Sequence, residues 1–296
     1  MHPNPVLKKL GLSDKDRAVI IHTDDIGMCQ ASVTAYKDLM EFGIVSSGAT
    51  MVPCPWFLEA AKVCREHPEY DMGVHLTLTS EWQTYRWGPV STREVNSGLM
   101  DEQGYFYRTS EKAQKYADAA AARIELKMQI DRALAQGIKS THIDTHMGTM
   151  AHSKFIPSYV EFGMTYRSPI MMFRLNEIGW RLADLDGAAA KVAAQMVIDA
   201  ENAGMPLLDT MFQMNLEKPE NRLEQVKEAL KSLKPGVTHF IIHPSTDTPE
   251  LRSICHDWPS RVADYQTFMD EHLRDFIEDS GLHIIGYRDL QNLMPA

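Results

Sequence analysis

No apolar run in this chain approaches the ~20 residues needed to span a bilayer, and no segment is repeated or of low complexity. Basic residues are in the minority, with 30 Lys and Arg against 40 Asp and Glu for a net charge of −10. They form no cluster interleaved with aromatics. The electrostatic footprint of a nucleic-acid binder, or of a protein held on an anionic membrane, is therefore missing. Met1–Lys9 has no apolar stretch behind its charges, so a secretory leader is not expected. Cysteine is scarce and scattered: Cys29, Cys54, Cys64 and Cys255 include no C-x-x-C pair and read as reduced thiols of a cytoplasmic protein. Cys29 lies near a pair of acids, but a thiol nucleophile would need a poised histidine beside it.

What is present is an ordinary supply of core. Of 296 residues 44% are hydrophobic and 24% charged, which suits a large α/β domain. Short apolar runs alternate with helix-period segments. Strands are expected from Ala18 to the Asp24-Asp25 pair, at Ile44–Val52, Met72–Leu78, Thr141–His146, Met164–Arg167, Pro206–Phe212, Thr238–His243 and His283–Tyr287. Helices are expected at Ser32–Phe42 with Gly43 as its stop, from Pro53-Cys54-Pro55-Trp56 to His67-Pro68, and at Lys112–Ala135, Pro157–Phe162, Asp186–Asn202, Pro219–Ser232 and Pro259–Asp279. Such alternation predicts a single-domain parallel (β/α) barrel, distorted and TIM-like, spanning residues 1–296. A long insertion, Thr79 to about Ser110, follows the third strand. Its aromatics include Trp82, Tyr85, Trp87, Tyr105, Phe106 and Tyr107, which either pack the loop down or stack on a sugar ring; Trp82 and Trp87 are the candidates for substrate contact.

The unusual polar residues fall where a barrel keeps its chemistry, at the carboxyl ends of strands. The first strand ends in Asp24-Asp25-Ile26-Gly27. Adjacent buried acids repel each other and resist desolvation, so a cation or a held proton is needed, unless the segment is simply a solvated turn. The third strand carries His75. The fourth reads His142-x-Asp144-x-His146, which places three polar side chains on one face. The seventh ends in His243-Pro244. One carboxylate and two imidazoles hold a divalent ion with coordination positions left open, the catalytic pattern rather than the structural one. His146 lies nearest the carboxyl end and suits a ligand; Asp144 or His142 then orients a ligand by hydrogen bonding. One acid of the pair binds the ion and the other is free to act as general base, while His243 can protonate a leaving amine. That set describes metal-assisted amide hydrolysis. His22, two residues before the pair, is placed behind the ligands. His2, His67, His152, His256 and His283 read as structural.

These residues resemble the YdjC-type carbohydrate deacetylases, chitooligosaccharide deacetylases and relatives within the polysaccharide-deacetylase-like superfamily. The resemblance rests on Asp24-Asp25-Ile26-Gly27, Gly73-Val74-His75-Leu76, Thr141-His-Ile-Asp-Thr-His146 and Phe240-Ile-Ile-His243-Pro244, in the family's order over nearly the whole chain. It implies removal of acetyl from an N-acetylated sugar with one divalent metal. It also implies Asp25, His75 and His146 as ligands, Asp24 as general base and His243 as general acid. Arg261 and Asp264 match charged positions that orient those groups; on spacing alone they would be an ordinary i, i+3 surface pair. Where the family often continues into further histidines, this chain has Met147-Gly148-Thr149. Zn²⁺, Mn²⁺, Co²⁺ and, less comfortably, Mg²⁺ fit the ligand set. The expected partner is a small carbohydrate, with no nucleic acid and no membrane; a homo-oligomer lending aromatic loops to a neighbouring site stays open.

Two other readings compete. A sugar isomerase, epimerase or phosphoesterase could use acids and histidines on a similar barrel, although isomerases want more carboxylate ligands on separate strands. A metal-stabilised sugar-binding protein without turnover would have little use for the uncoordinated acid of the pair.

Overall fold

The computed structural model describes residues 3–182 and 187–295. Seven strands form one parallel sheet: β1 (Arg17–Ile26), β2 (Ser47–Thr50), β3 (Met72–Leu76), β4 (Ile143–Thr145), β5 (Thr210–Gln213), β6 (Gly236–Ile242) and β7 (Leu282–Ile284). The order is β4-β3-β2-β1-β6-β5, with β7 also on β1. One edge of β1 pairs with β6 from Arg17 to Thr23; along β1, pairing with β7 runs from Arg17 to Val19 and pairing with β2 begins at His22. Beyond β4, single parallel bridges Ile143↔Ile170 and Phe173↔Leu208 lead round toward β5. The sheet thus curls as the expected distorted barrel, with helices around it.

Alternation along β1 builds the wall. Val19 and Ile21 face a layer made with Leu39, Val226, Leu230, Phe268 and Ile277 of the surrounding helices. Ala18 and Ile20 face the other way and meet Val6, Leu7, Leu208, Val237, Tyr287 and Leu290. Val6 and Leu7 belong to a short helix, Pro5–Lys9, whose start is capped by the Asn4 side chain accepting from the Val6 amide. Burying a side chain such as Leu7 stabilises by about 1.5–3 kcal/mol. The interior above that layer is polar.

Several expected elements are corrected. Met164–Arg167 is no strand: helix Ile156–Thr165 runs through it and ends with Arg167 at φ 49°, where the Ser168 amide donates to the Gly163 carbonyl at 2.8 Å. That is a Schellman-type stop, and the extended segment comes after it. The expected Lys112–Ala135 helix is two, Ser110–Tyr116 and Ala119–Ala135, because Asp118 caps the second by accepting from the Ala121 amide. Pro259–Asp279 likewise divides into Trp258–Phe268 and Glu271–Asp279, with Asp270 as the new cap. Helices Pro5–Lys9, Glu177–Leu182 and Pro249–Ile254 were not expected from periodicity, being too short to show it. Gly43 ends helix Gln30–Phe42 at φ 96°, as expected. Of the helix expected at Asp186–Asn202, Gly187–Asn202 is seen, and Asp186, like His2, lies outside the described residues. Among the described residues no helix is long and apolar enough to cross a membrane.

Candidate active site

Adjacent residues of a regular strand point to opposite faces, so Asp24 and Asp25 should not share a site. They do because β1 bulges. The step from Thr23 to Ile26 on β1 is matched on β2 by the shorter step from Gly48 to Thr50, and Asp25 sits at φ 61°. A non-glycine residue there is strained, by roughly 1–3 kcal/mol, which is typical of functional positions. The extra residue turns the Asp25 carboxylate back toward the interior beside that of Asp24.

The two acids then take different partners. Asp25 Oδ2 accepts from Arg261 at 2.8 Å, and Arg261 Nε donates to Asp257 Oδ1 at 3.0 Å. Asp25 Oδ1 faces His146 Nδ1 at 3.1 Å and His75 Nε2 at 3.6 Å. Neither Asp25 Oδ1 nor His75 Nε2 has a hydrogen-bond partner, although both are buried. The far nitrogens of the two imidazoles are tied to carboxylates: His75 Nδ1 to Asp144 Oδ1 at 2.8 Å, and His146 Nε2 to Glu81 Oε2 at 3.0 Å. Burial should raise Asp25, but the Arg261 guanidinium and His146 outweigh it and hold the carboxyl well below the usual range. Burial should lower the two histidines, yet Asp144 and Asp24 pull His75 up to about 9, and Glu81 and Asp25 pull His146 up to about 10. The crowd of carboxylates demands positive charge. Asp25, His75 and His146 form a donor group that could hold a metal ion, and a cation with carboxylate-backed imidazoles meets that demand.

Asp24 stands apart. Its Oδ1 contacts His22 Nδ1 at 2.8 Å, and its Oδ2 lies 3.8 Å from both His75 Nε2 and His243 Nε2. Burial raises its pKa, against the pull of His75 and His243. Burial also lowers His243. The His243 amide donates to Asp264 Oδ2 at 3.0 Å, and Asp264 Oδ1 faces Arg222 Nε at 2.9 Å. Arg261 and Asp264 are therefore both interior, not a surface pair: Arg261 holds Asp25, and Asp264 holds the backbone of His243. His142 lies deeper, bonded to His22 and stacked on Tyr287, and touches none of the three donors in any hydrogen bond or ion pair.

A cavity of about 270 Å³ opens over these groups. Trp82 lines it, with the Arg261 guanidinium 5.6 Å from its ring and its indole N–H toward Met28 Sδ at 3.3 Å. Trp87 is brought no nearer than a ring separation of 6.3 Å from His146; its N–H donates to the Thr79 carbonyl at 2.7 Å, and it faces a separate surface depression. Glu81 and His239 were missed from sequence. Glu81 lies five residues beyond the end of β3 and adjoins Trp82, and His239 has the same strand parity as His243, the one signal for each.

A parallel barrel with a buried Asp/His/His donor group at the carboxyl ends of its strands is the class that fold and site define. The description "YdjC-like protein" matches residues 18–279, and the chain belongs to that family. It is 33% identical over 264 residues to a carbohydrate deacetylase of Thermus thermophilus, covering 88% of this chain and 89% of that protein. It is 26% identical over 273 residues to a carbohydrate deacetylase of Thermoanaerobacter pseudethanolicus, covering 92% and 99%. A crystal structure from Enterococcus faecalis, of a proposed cellobiose-phosphate cleavage protein, aligns with a TM-score of 0.74 at 22% identity over 93% of this chain and 99% of that one, and shares its fold.

Proposed function

We propose that this chain is a metal-dependent deacetylase that hydrolyses the acetamido group of an N-acetylated sugar. One observation carries the reading: two buried, unpartnered atoms, Asp25 Oδ1 and His75 Nε2, converge with His146 Nδ1 beside an acid that none of them uses. The names of the two relatives supply the substrate class. Asp25, His75 and His146 would hold a divalent ion, which when bound polarises the amide carbonyl and acidifies a water. Two imidazoles suit Zn²⁺, Mn²⁺ or Co²⁺ better than Mg²⁺.

The chain's own groups do the rest. Asp24 Oδ2 takes a proton from the attacking water as its oxygen bonds to the acetyl carbon. That proton passes from Asp24 to His243 Nε2, 3.8 Å away, and His243 gives it to the sugar nitrogen as the C–N bond breaks. Because burial lowers His243, a proton it receives is readily passed on. Asp144 and Glu81 fix the tautomers of His75 and His146. Arg261 keeps Asp25 ionised and oriented, and Trp82 offers a face to the sugar. Arg261 is the cavity's one guanidinium among the described residues, and it is already committed to Asp25 and Asp257. No other Lys or Arg there awaits a phosphate, so the substrate is read as an uncharged sugar. Four free, buried cysteines support a cytoplasmic setting.

The test is acetate release from N-acetylated mono- and oligosaccharides and their phosphates, with metal and with chelator. Chelator-sensitive release, favouring the unphosphorylated member of each pair, is expected. A metal-loaded protein that releases no acetate from any of them, or that forms a ketose instead, would overturn the reading.

A further inference from the structure

The reaction above also places the departing sugar. His243 follows β6 directly and gives a proton to the sugar nitrogen, so the ring lies on the β6 side of the cavity. The strand beside β6 there is β5, which none of the steps uses. Its register pairs Met211 with His239 and Gln213 with Ile241. Ile241 and His243 share one face of their strand and both line the cavity. Met211 and Gln213 line it as well, while Phe212 between them turns outward and stacks on Phe240 with ring centroids 5.2 Å apart.

From the end of β4 round to the end of β6, the cavity wall consists of Met171, Met211, Gln213, Leu216 and Ile241. It carries none of the metal donors. Met211 is 45% exposed, an adaptable apolar side chain left open at the site, as a surface for the C–H face of a sugar would be. Gln213 is the single polar group of this wall. Elsewhere in the cavity the polar side chains are committed. Asp24 is bonded to His22, Asp25 and Asp257 to Arg261, and Glu81 to His146. The Trp82 N–H faces Met28, the Thr145 hydroxyl accepts from the Met150 amide, and His243 faces Asp24. Among the described residues lining the cavity, Gln213 is the one polar side chain with neither a hydrogen bond nor an ion pair. Its amide offers an acceptor and N–H donors together, which matches a hydroxyl that also gives and accepts.

We propose that Gln213 determines sugar specificity by hydrogen-bonding one ring hydroxyl of the departing unit, while Met211 and Ile241 receive the C–H face of that ring. This role rests on the reading of His243 as proton donor to the sugar nitrogen. A wall with one amide among apolar side chains recognises one hydroxyl and leaves the others to solvent. Selectivity among N-acetylated sugars then follows the position and configuration of that hydroxyl. Gln213 is open to solvent, so a missing partner costs one neutral hydrogen bond, about 3–10-fold in kcat/KM. A sealed polar pocket would discriminate far more strongly.

The experiment uses the metal-loaded full chain with N-acetylglucosamine and N-acetylgalactosamine, each beside its monodeoxy forms. With wild type, one monodeoxy form is expected to fall about 3–10-fold below its parent in kcat/KM for acetate release. In Gln213→Ala the parent should drop to the level of that form, which itself does not change, and metal content should stay as in wild type. A folded Gln213→Ala that still separates every deoxy form from its parent as wild type does overturns the proposal. Calorimetric titration of the same sugars makes the comparison without turnover. If none of them releases acetate, the deacetylase reading fails for these sugars and the titrations decide the role of Gln213. Weaker binding of a parent sugar by Gln213→Ala, with its deoxy form unaffected, supports the role; equal affinities, or no binding by wild type, overturn it.

Discussion

Replacing Asp24 by asparagine separates the two acids of the pair most cleanly. The amide side chain matches the carboxylate in volume and can still bond His22, which lies 2.8 Å from Asp24 Oδ1. The change does not touch the donor group, because Asp25, His75 and His146 meet without it. What goes is the proton acceptor at Oδ2, which faces His75 and His243 at 3.8 Å. General-base catalysis is worth about 10²–10⁴ in rate, or about 3–5 kcal/mol at 1.36 kcal/mol per factor of ten. The expected outcome is kcat lower by that factor, with metal content and KM near wild type. Acetate release under saturating sugar measures the first, and elemental analysis of the dialysed protein measures the second. His146→Ala is the contrasting control, losing metal and rate together. A fully loaded Asp24→Asn enzyme keeping more than about a tenth of wild-type kcat would refute the assignment of the base, since the loss expected is at least about a hundredfold.

Three more perturbations probe the support around the site. Asp144→Asn removes the carboxylate behind His75 Nδ1, and metal affinity should weaken about 10–100-fold by competition with a chelating dye; unchanged affinity would mean Asp144 does not orient the ligand. Arg261→Met leaves Asp25 and Asp257 buried without their shared cation. In metal-free protein that should cost about 3–5 kcal/mol by urea titration, and less once metal is added; equal losses in both states would show that the ion and Arg261 do not share the charge of Asp25. For pH, burial holds His22 at about 3, far below its unfolded 6.5, and lowers His239 as well. The unfolded chain therefore binds protons that the native one does not. The stability these groups contribute is present above pH 6.5 and lost as pH falls toward about 3. His22 alone accounts for at most about 5 kcal/mol. Urea titrations at descending pH should be steeper for wild type than for His22→Asn, and parallel curves would refute the assignment.

Much of this was legible in sequence because it is written in local spacing. Alternating apolar runs and helical segments imply a parallel barrel, and residues two apart on a strand share a face whatever the rest of the chain does. His142, Asp144 and His146 could therefore be placed together, and strand-end acids and histidines could be placed at one rim. The fold decided what spacing cannot carry. Asp24 and Asp25 should diverge by strand geometry, and they converge because β1 bulges at Asp25 against β2, a register that exists only between paired strands. Arg261 reads locally as a surface helix residue, and it becomes the partner of Asp25 because two segments 236 residues apart meet. Glu81 acquires a role only where a loop folds its carboxylate onto His146. The stacking of His142, just before β4, on Tyr287 joins the sheet to the helix Tyr287–Asn292 in the same way. Periodicity records which side of its own element a residue occupies. Hydrogen bonds and charge pairs at a few ångströms depend on how separate elements dock, and that is set by the packing of the whole barrel.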